Sequence, residues 1–136
     1  MTKTLINFSL PLLVVDDFRA MNAIVCKLAR DVGFSDIDQV SDGPAALDQL
    51  RKRKYELIIS DWDMRPMNGT ELIRKIRDDP MHSTTPIIMI TAMAGTGSSW
   101  QSGADGYLTK PFKAHDLSAK IEEIMVQRTN KMTAAR

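Results

Sequence analysis

The sequence alternates short apolar runs with stretches of helical period, and this alternation constrains the fold more than any other feature. Apolar runs of strand length lie at residues 12–15, 37–40, 57–60, 87–91 and 107–109. Helical spacing of apolar residues between them predicts one helix that stops near Gly33 and two more at residues 43–53 and 70–78. A closing helix would turn Leu117 and Ile121 inward. Strands that alternate with helices predict an α/β fold, a doubly wound five-stranded parallel sheet covered on both faces.

Composition narrows the class of protein. A chain of 136 residues is expected to form one domain with its own core. Its 18 basic and 17 acidic residues nearly cancel, which gives no support to bulk attraction to nucleic acid or a membrane. No apolar run approaches the ~20 residues of a membrane span, and the N-terminus lacks a cleavage site. The single cysteine, Cys26, is interpreted as a small core residue, and a reducing cytoplasmic location is expected.

Charged and polar residues follow the predicted strands where each strand ends. They are Asp16 and Asp17 after the first strand, Asp61 after the third, Thr91 after the fourth and Lys110 after the fifth. In such folds ligands bind beyond the carboxyl ends of the strands. Three carboxylates brought together there repel one another and favour a hard cation, for which Mg²⁺ is the best candidate. Any single acid could equally be a solvated loop residue or a helix cap, so the prediction depends on their joint placement.

Four stretches carry a resemblance to a known family: "LLVVDDFRAMNAIV", "LIISDWDMRPMNGTELIRKIR", "PIIMITA" and "GADGYLTKPF". Together they resemble the receiver domain of bacterial two-component response regulators, particularly stand-alone chemotaxis receivers of the CheY type. The resemblance spans residues 10–126 and implies a flavodoxin-like receiver fold. Residues 1–9 would be an N-terminal extension, and residues 127–136 a polar C-terminal tail that frays.

The resemblance implies a role for each acid. Asp61 would be the phosphoacceptor, a carboxylate nucleophile that attacks a phosphohistidine. Asp17 and Asp61 would bind Mg²⁺ directly, and Asp16 would act partly through water. The backbone carbonyl of Asp63 would complete the metal site.

The resemblance also implies a switch and a second cation. Lys110 would pair with the phosphoryl group, and the Thr91 hydroxyl would hydrogen-bond one of its oxygens. Thr91 and Tyr107 would move together on phosphorylation, although Tyr107 could instead be an edge-strand aromatic residue packed on the last helix. The Lys110–Pro111 peptide bond is expected to be cis.

Three departures from the family pattern stand out. Asp63 occupies a position where CheY-like chains carry Asn, and Met93 one where many relatives carry a polar residue. The segment between Thr91 and Lys110 is about three residues short and rich in Gly and Ser, so the fourth helix is expected to be short or missing. Residues 94–102 would then form either a mobile loop that phosphorylation orders or an exposed interface, with Trp100 as an anchor.

The function these features predict is phosphorylation-dependent signalling by a single-domain response regulator, which is not an enzyme acting on a separate substrate. Its partners would be a sensor histidine kinase or phosphotransfer protein and an unidentified downstream protein, with no direct binding to nucleic acid or membrane. The chain would be a monomer or a phosphorylation-dependent dimer. One alternative is a receiver excised from a longer regulator with a DNA-binding output. Another, less favoured, is a Mg²⁺-dependent Asp-x-Asp phosphatase, since "DWD" resembles that motif.

Four other features are weaker candidates. His82, expected in a polar loop, and His115, near a helix start, lack a partner at zinc-ligand spacing. The basic run "RKRK" at residues 51–54 is interpreted as a solvated helix end. Trp62 is either a partly exposed partner contact or a lid that packs over its loop.

Overall fold

The computed structural model describes residues 8–9, 11–92 and 103–134, with side chains described to residue 127. The strands are β1 Leu12–Val15, β2 Ile37–Val40, β3 Leu57–Asp61, β4 Ile87–Thr91 and β5 Gly106–Thr109. The helices are α1 Arg19–Val32, α2 Gly43–Lys52, α3 Gly69–Asp78 and a C-terminal helix Ala114–Ala134. None of the helices in these ranges combines the length and apolar character needed to cross a membrane. The prediction of a short or missing fourth helix concerns residues that lie outside the described ranges, as do Met93 and Trp100.

The five strands form one parallel sheet in the order β2-β1-β3-β4-β5, which confirms the predicted fold class. β1, β3 and β4 are the inner strands, and their residues are buried throughout because helices cover both faces. β1 and β3 are neighbours in register, with Val15 beside Ser60. The residues that follow Val15 therefore lie next to Asp61, the last residue of β3.

Alternation of side chains along the strands divides the core into two layers. One layer packs α1 and the C-terminal helix against the face that carries Leu12, Val14 and Ile59. The other packs α2 and α3 against the face that carries Leu13 and Ile58. Because successive strand residues point to opposite faces, the near-continuous apolar runs seen in the sequence supply both layers at once.

Polar caps and glycines set where the helices begin and end. The Asn68 side chain accepts a hydrogen bond from Glu71 N, and the Glu71 side chain accepts one from Asn68 N, which forms a capping box for α3. Asp42 caps α2 by accepting from Ala45 N. α1 ends at Gly33, whose φ of 138° suits a residue without a side chain. The C-terminal helix continues to Ala134, so most of the stretch predicted to fray is helical here.

Arg77, near the end of α3, joins the starts of β4 and β5. Its guanidinium donates to the carbonyl oxygens of His82, Thr85 and Gly103, at distances of 2.7–3.3 Å. It also pairs with Asp105 Oδ2 at 2.9 Å, and the same oxygen accepts from Ile87 N. One partly buried cation therefore holds α3 and the entries to two strands in a fixed arrangement.

Candidate functional site

An acidic cluster lies beyond the carboxyl ends of β1 and β3. Each of Asp16, Asp17 and Asp61 offers a carboxylate oxygen, and these three oxygens lie within 4.8 Å of one another. Asp16 and Asp61 are buried, with 2% and 5% of their surface exposed, whereas Asp17 is exposed. The structure thus brings together the three acids that the sequence predicted would meet. Two unit charges about 4 Å apart repel by about 4 kcal/mol at an effective dielectric constant of 20, so the cluster favours a cation.

Asp16 is the most perturbed acid of the cluster. Burial raises its pKa from 3.8 to about 6, against the opposing effect of a hydrogen bond from Phe18 N to Oδ1 at 2.9 Å. The negative charge of Asp61 raises the pKa further. Oδ2 is buried, and no group of the described residues hydrogen-bonds to it. A buried carboxylate with such an oxygen, in a cluster with two other acids, is a suitable ligand for a hard cation or its water shell, so the donor set fits Mg²⁺.

Asp61 pairs directly with Lys110 across the sheet. Lys110 Nζ lies 2.9 Å from Asp61 Oδ1. Burial raises the pKa of Asp61, while the hydrogen bond and charge of Lys110 lower it. The Lys110–Pro111 peptide bond is cis, which confirms that prediction. A buried carboxylate at this position is thus stabilised in its charged form by a neighbouring cation.

Asp63 lies two residues beyond Asp61 and is exposed. Its negative charge, like that of Asp17, raises the pKa of Asp61. Asp63, which departs from the family pattern, is therefore a fourth acid of this region, and its charge acts on Asp61. Asp17 itself accepts a long hydrogen bond, 3.4 Å from Arg65 N, and is exposed, so its carboxylate is accessible to solvent and to a ligand.

Thr91 and Tyr107 lie on the neighbouring strands β4 and β5, two register positions apart. Thr91 ends β4, one residue beyond the register partner of Asp61, and its carbonyl accepts from Lys110 N at 2.9 Å. Tyr107 lies beside Met89 on β5 and is half-buried against the core layer of α2 and α3. The alternative that Tyr107 packs on the last helix is therefore wrong. Side-chain alternation turns it to the opposite face, and Gly106 faces the C-terminal helix instead.

Trp62 packs over the loop between β3 and α3. Its ring Nε1 donates to Thr70 Oγ1 at 2.9 Å, and its backbone carbonyl accepts from Gly69 N at 2.7 Å. A Cβ on Gly69 would lie 2.9 Å from Trp62 Cα and 2.7 Å from Met89 Sδ. The loop that follows Asp61 is consequently closed tightly against the sheet, with Trp62 as its cover.

Asn22 is a buried polar residue of this region that sequence reasoning missed. Its side-chain Nδ2 donates to Asp16 O at 3.1 Å and to Val40 O at 3.0 Å. The available signal was its position, three residues before Val25 on the face of α1 that packs against the sheet. An amide on such a face predicts buried partners, but the sequence does not identify them.

The remaining candidates lie away from the acids. His82 lies in the loop between α3 and β4, as predicted, but its side chain is fully buried, with Nε2 2.7 Å from Leu50 O. His115 is exposed, and its ring Nε2 lies 3.8 Å from an Asp116 carboxylate oxygen. Within the basic run, Arg53 is held by Asp36 and Asp38 at 2.6 and 2.8 Å. Cys26 is a fully buried thiol, as predicted for a core residue.

Comparisons with known proteins agree with this geometry. The family model described as the response regulator receiver domain matches residues 12–122. The chain is 37% identical over 125 residues to chemotaxis protein CheY-3 of Vibrio cholerae, covering 90% of this chain and 96% of that one. The structure of the chemotaxis response regulator CheY4 of V. cholerae superposes with a TM-score of 0.78 and 28% identity, covering 85% of this chain and 98% of CheY4.

A receiver domain from a sensor histidine kinase of Pseudomonas aeruginosa is similarly close, with a TM-score of 0.79 and 27% identity. The match covers 86% of this chain and 98% of that domain, which was solved with a magnesium ion coordinated in its active site cleft. The acids that meet at the strand ends thus occur in a chain whose sequence and fold both match receivers. We conclude that the chain belongs to the response regulator receiver family and is a phosphoryl acceptor.

Proposed function

We propose that Asp61 accepts a phosphoryl group from a histidine kinase or a phosphotransfer protein. The observation that carries the proposal is the position of Asp61, a buried strand-end carboxylate between an acidic cluster and Lys110. Although this carboxylate is nearly removed from solvent, its pairing with a cation favours the charged form, which is the nucleophilic form. The other acids are less suited to accept the group: within the described residues Asp16 forms no ion pair, and Asp17 is exposed.

The transfer exchanges one bond for another. A carboxylate oxygen of Asp61 attacks the phosphorus of a phosphohistidine, a P–O bond forms, and the P–N bond breaks with its electron pair going to the imidazole nitrogen. The leaving imidazole takes up a proton, and Asp61 becomes an acyl phosphate. Lys110 would then shift from the free carboxylate to a phosphoryl oxygen, because the added group carries the larger negative charge.

The residues that would hold Mg²⁺ are Asp16, Asp17, Asp61 and the backbone carbonyl of Asp63. Bound there, Mg²⁺ would neutralise the negative charge of the acceptor and phosphoryl oxygens during transfer. Asp16 contributes a buried oxygen that no described residue hydrogen-bonds, and Asp17 contributes an exposed carboxylate. Because few protein ligands are available, the site is expected to bind weakly and to lose affinity in Asp17→Ala.

Thr91 and Tyr107 would couple phosphorylation of Asp61 to a change of the protein surface. Thr91 is mostly buried near the site, and its hydroxyl would bind a phosphoryl oxygen. Tyr107 is half-buried two register positions earlier and would follow Thr91 inward. To shift such a pair from 1:99 to 99:1, phosphorylation must favour the active arrangement by about 5.5 kcal/mol. The changed surface would bind a downstream protein or a second copy of the chain, in the cytoplasm, where histidine kinases present their phosphoryl groups.

The alternative functions explain fewer features of the chain than the proposed one does. In the Asp-x-Asp phosphatase alternative, Asp63 would serve as the second catalytic acid. The chain instead matches the receiver family over residues 12–122, and the "DWD" follows the third strand rather than the first. A receiver that belongs to a longer regulator uses the same site chemistry and differs only in its output.

Phosphorylation by a small donor tests the acceptor assignment. The protein is incubated with acetyl phosphate and Mg²⁺, and the intact mass is followed over time, with and without hydroxylamine, which cleaves acyl phosphates. Wild-type protein should gain one hydroxylamine-sensitive phosphoryl group, and Asp61→Asn should gain none. Asp63→Asn is the matched control, since it removes a neighbouring carboxylate by the same change and should still be labelled. Stoichiometric labelling of Asp61→Asn would refute the assignment.

A further inference from the structure

We propose that Asn22 is a positioning residue for the cation-binding acids, acting through the backbone of Asp16. The inference rests on the proposed function, in which those acids hold Mg²⁺. Asn22 is 6% exposed, and its Nδ2 bonds the carbonyl oxygens of Asp16 and Val40 at 3.1 and 3.0 Å. One side-chain amide group therefore donates to Val40, the last residue of β2, and to Asp16, which directly follows β1.

The two carbonyl groups lie where the β1–β2 ladder stops. The last register pair is Val15 with Val40, and beyond it Asp16 N donates to Val40 O at 3.2 Å. Asp16 lies past the end of β1, where its N–H still bonds across to β2 but its carbonyl oxygen accepts from a helix side chain. With Asn22 bound to its carbonyl and Val40 bound to its N–H, the backbone of Asp16 is held on both sides.

The orientation of the Asn22 amide is set by a third partner. Cys26 lies one helical turn later, and its Sγ donates to Asn22 Oδ1 at 3.6 Å. The opposite orientation would place Oδ1 against two carbonyl oxygens and leave the amide hydrogens without those acceptors. The amide has thus one arrangement that satisfies its donors and its acceptor.

Holding the backbone at Asp16 determines where two carboxylates point. The Asp16 side chain leaves from that residue, and Asp17 follows it directly. Among the described residues, Phe18 N bonds one oxygen of Asp16 and no group bonds the other, so the position of its side chain depends strongly on its backbone. An apolar side chain at position 22 would fill space but would supply no direction to the Asp16 peptide. Groups that orient metal ligands in this indirect way typically account for 10–100-fold in metal affinity.

A Mg²⁺ titration of three variants separates positioning from packing. Trp62 adjoins Asp61, so its fluorescence is followed as MgCl₂ is added, in a Trp100→Phe background because the chain has two tryptophans. Asn22→Ala removes both amide donors. Val25→Ala is the matched control, since it truncates another buried residue of α1 that has no hydrogen-bonding side chain. Urea denaturation without Mg²⁺ is measured for each variant, so that loss of stability and loss of metal affinity are recorded separately.

Asn22→Ala is expected to raise the Kd for Mg²⁺ by about 10-fold or more, while Val25→Ala keeps it within about 2-fold despite a comparable loss of stability. If Asn22→Ala does not fold, Asn22→Ser, which keeps one donor, should give an intermediate Kd. If a folded Asn22 variant binds Mg²⁺ with a Kd within 2-fold of wild type, the positioning role of Asn22 is wrong and the proposed function stands. The same conclusion follows if Val25→Ala raises the Kd as much as the Asn22 variant does. Wild-type protein without any Mg²⁺ binding overturns the proposed function and this role together.

Discussion

Replacing Asp16 by Asn is expected to stabilise the metal-free protein at neutral pH, even though it removes a residue of the functional site. Asp16 is ionised at pH 7, buried, and next to two other acids. Folding therefore places a charge where it is poorly solvated and repelled. Asn has the same shape, keeps an oxygen for the hydrogen bond from Phe18 N, and carries no charge.

The raised pKa of Asp16 sets the size of the effect. A carboxyl with a pKa of 3.8 in the unfolded chain and about 6 in the folded one lowers stability at pH 7 by about 3 kcal/mol. The new amide nitrogen must also find an acceptor, at a cost of about 1–3 kcal/mol if it does not. A carboxylate oxygen of Asp61 lies within 4.8 Å of one of the Asp16 oxygens, so a small shift would let it accept from that nitrogen. A net gain of about 1–3 kcal/mol is expected for Asp16→Asn.

The sign of the pH dependence follows from the direction of the shift. Because the pKa of Asp16 is higher in the folded state, the folded protein binds more protons between pH 3.8 and about 6. The stability contributed by Asp16 is therefore greatest below pH 3.8 and is lost as the pH rises through about 6. The advantage of Asp16→Asn should be full at pH 7.5, shrink by about 2 kcal/mol at pH 4.5, and shrink by about 3 kcal/mol in stronger acid.

Urea denaturation at pH 7.5 and 4.5, with EDTA present, measures both effects. Asp78→Asn is the matched control, since Asp78 is exposed on α3 and the change should stay within about 0.5 kcal/mol at either pH. Added Mg²⁺ should stabilise wild type more than Asp16→Asn. If Asp16→Asn is destabilised at pH 7.5 in EDTA, or if its advantage does not shrink in acid, the electrostatic account of Asp16 is wrong.

Three further changes test other contacts. Arg77→Met should lower stability by about 2–4 kcal/mol in urea, because it removes the donor to the carbonyl groups of two buried residues and the cation beside Asp105, whereas the exposed control Arg74→Met should change it by under about 0.5 kcal/mol. Gly69→Ala should cost about 1–3 kcal/mol in the same assay, since its Cβ would lie 2.9 Å from Trp62 Cα; an unchanged midpoint would show that the loop relaxes freely. Lys110→Ala should slow labelling by acetyl phosphate about 100-fold, since the acceptor carboxylate loses its paired cation, and an unaltered rate by intact mass would exclude that role.

Local patterns were sufficient to predict the architecture of the described residues. The five apolar runs and the helical spacing between them depend on neighbouring residues along the chain, so the α/β class and the parallel sheet followed from the sequence. Convergence of Asp16, Asp17 and Asp61 followed as well, because parallel strands end at a common edge. The cis bond before Pro111 was predicted from family resemblance and not from the residues themselves.

Contacts between residues far apart in the sequence were decided by the tertiary structure and did not follow from local patterns. His82 lies in a loop but is buried, because packing of that loop places its ring against the carbonyl oxygen of Leu50, 32 residues earlier in the chain. The face on which Tyr107 packs was decided by the register of an edge strand, since a shift of one residue reverses every side chain. Asn22 meets Asp16 and Val40 only because a helix and two strand ends come together. Periodicity along a chain specifies which face of an element is buried, whereas the partners of a buried polar group depend on how the elements pack against one another.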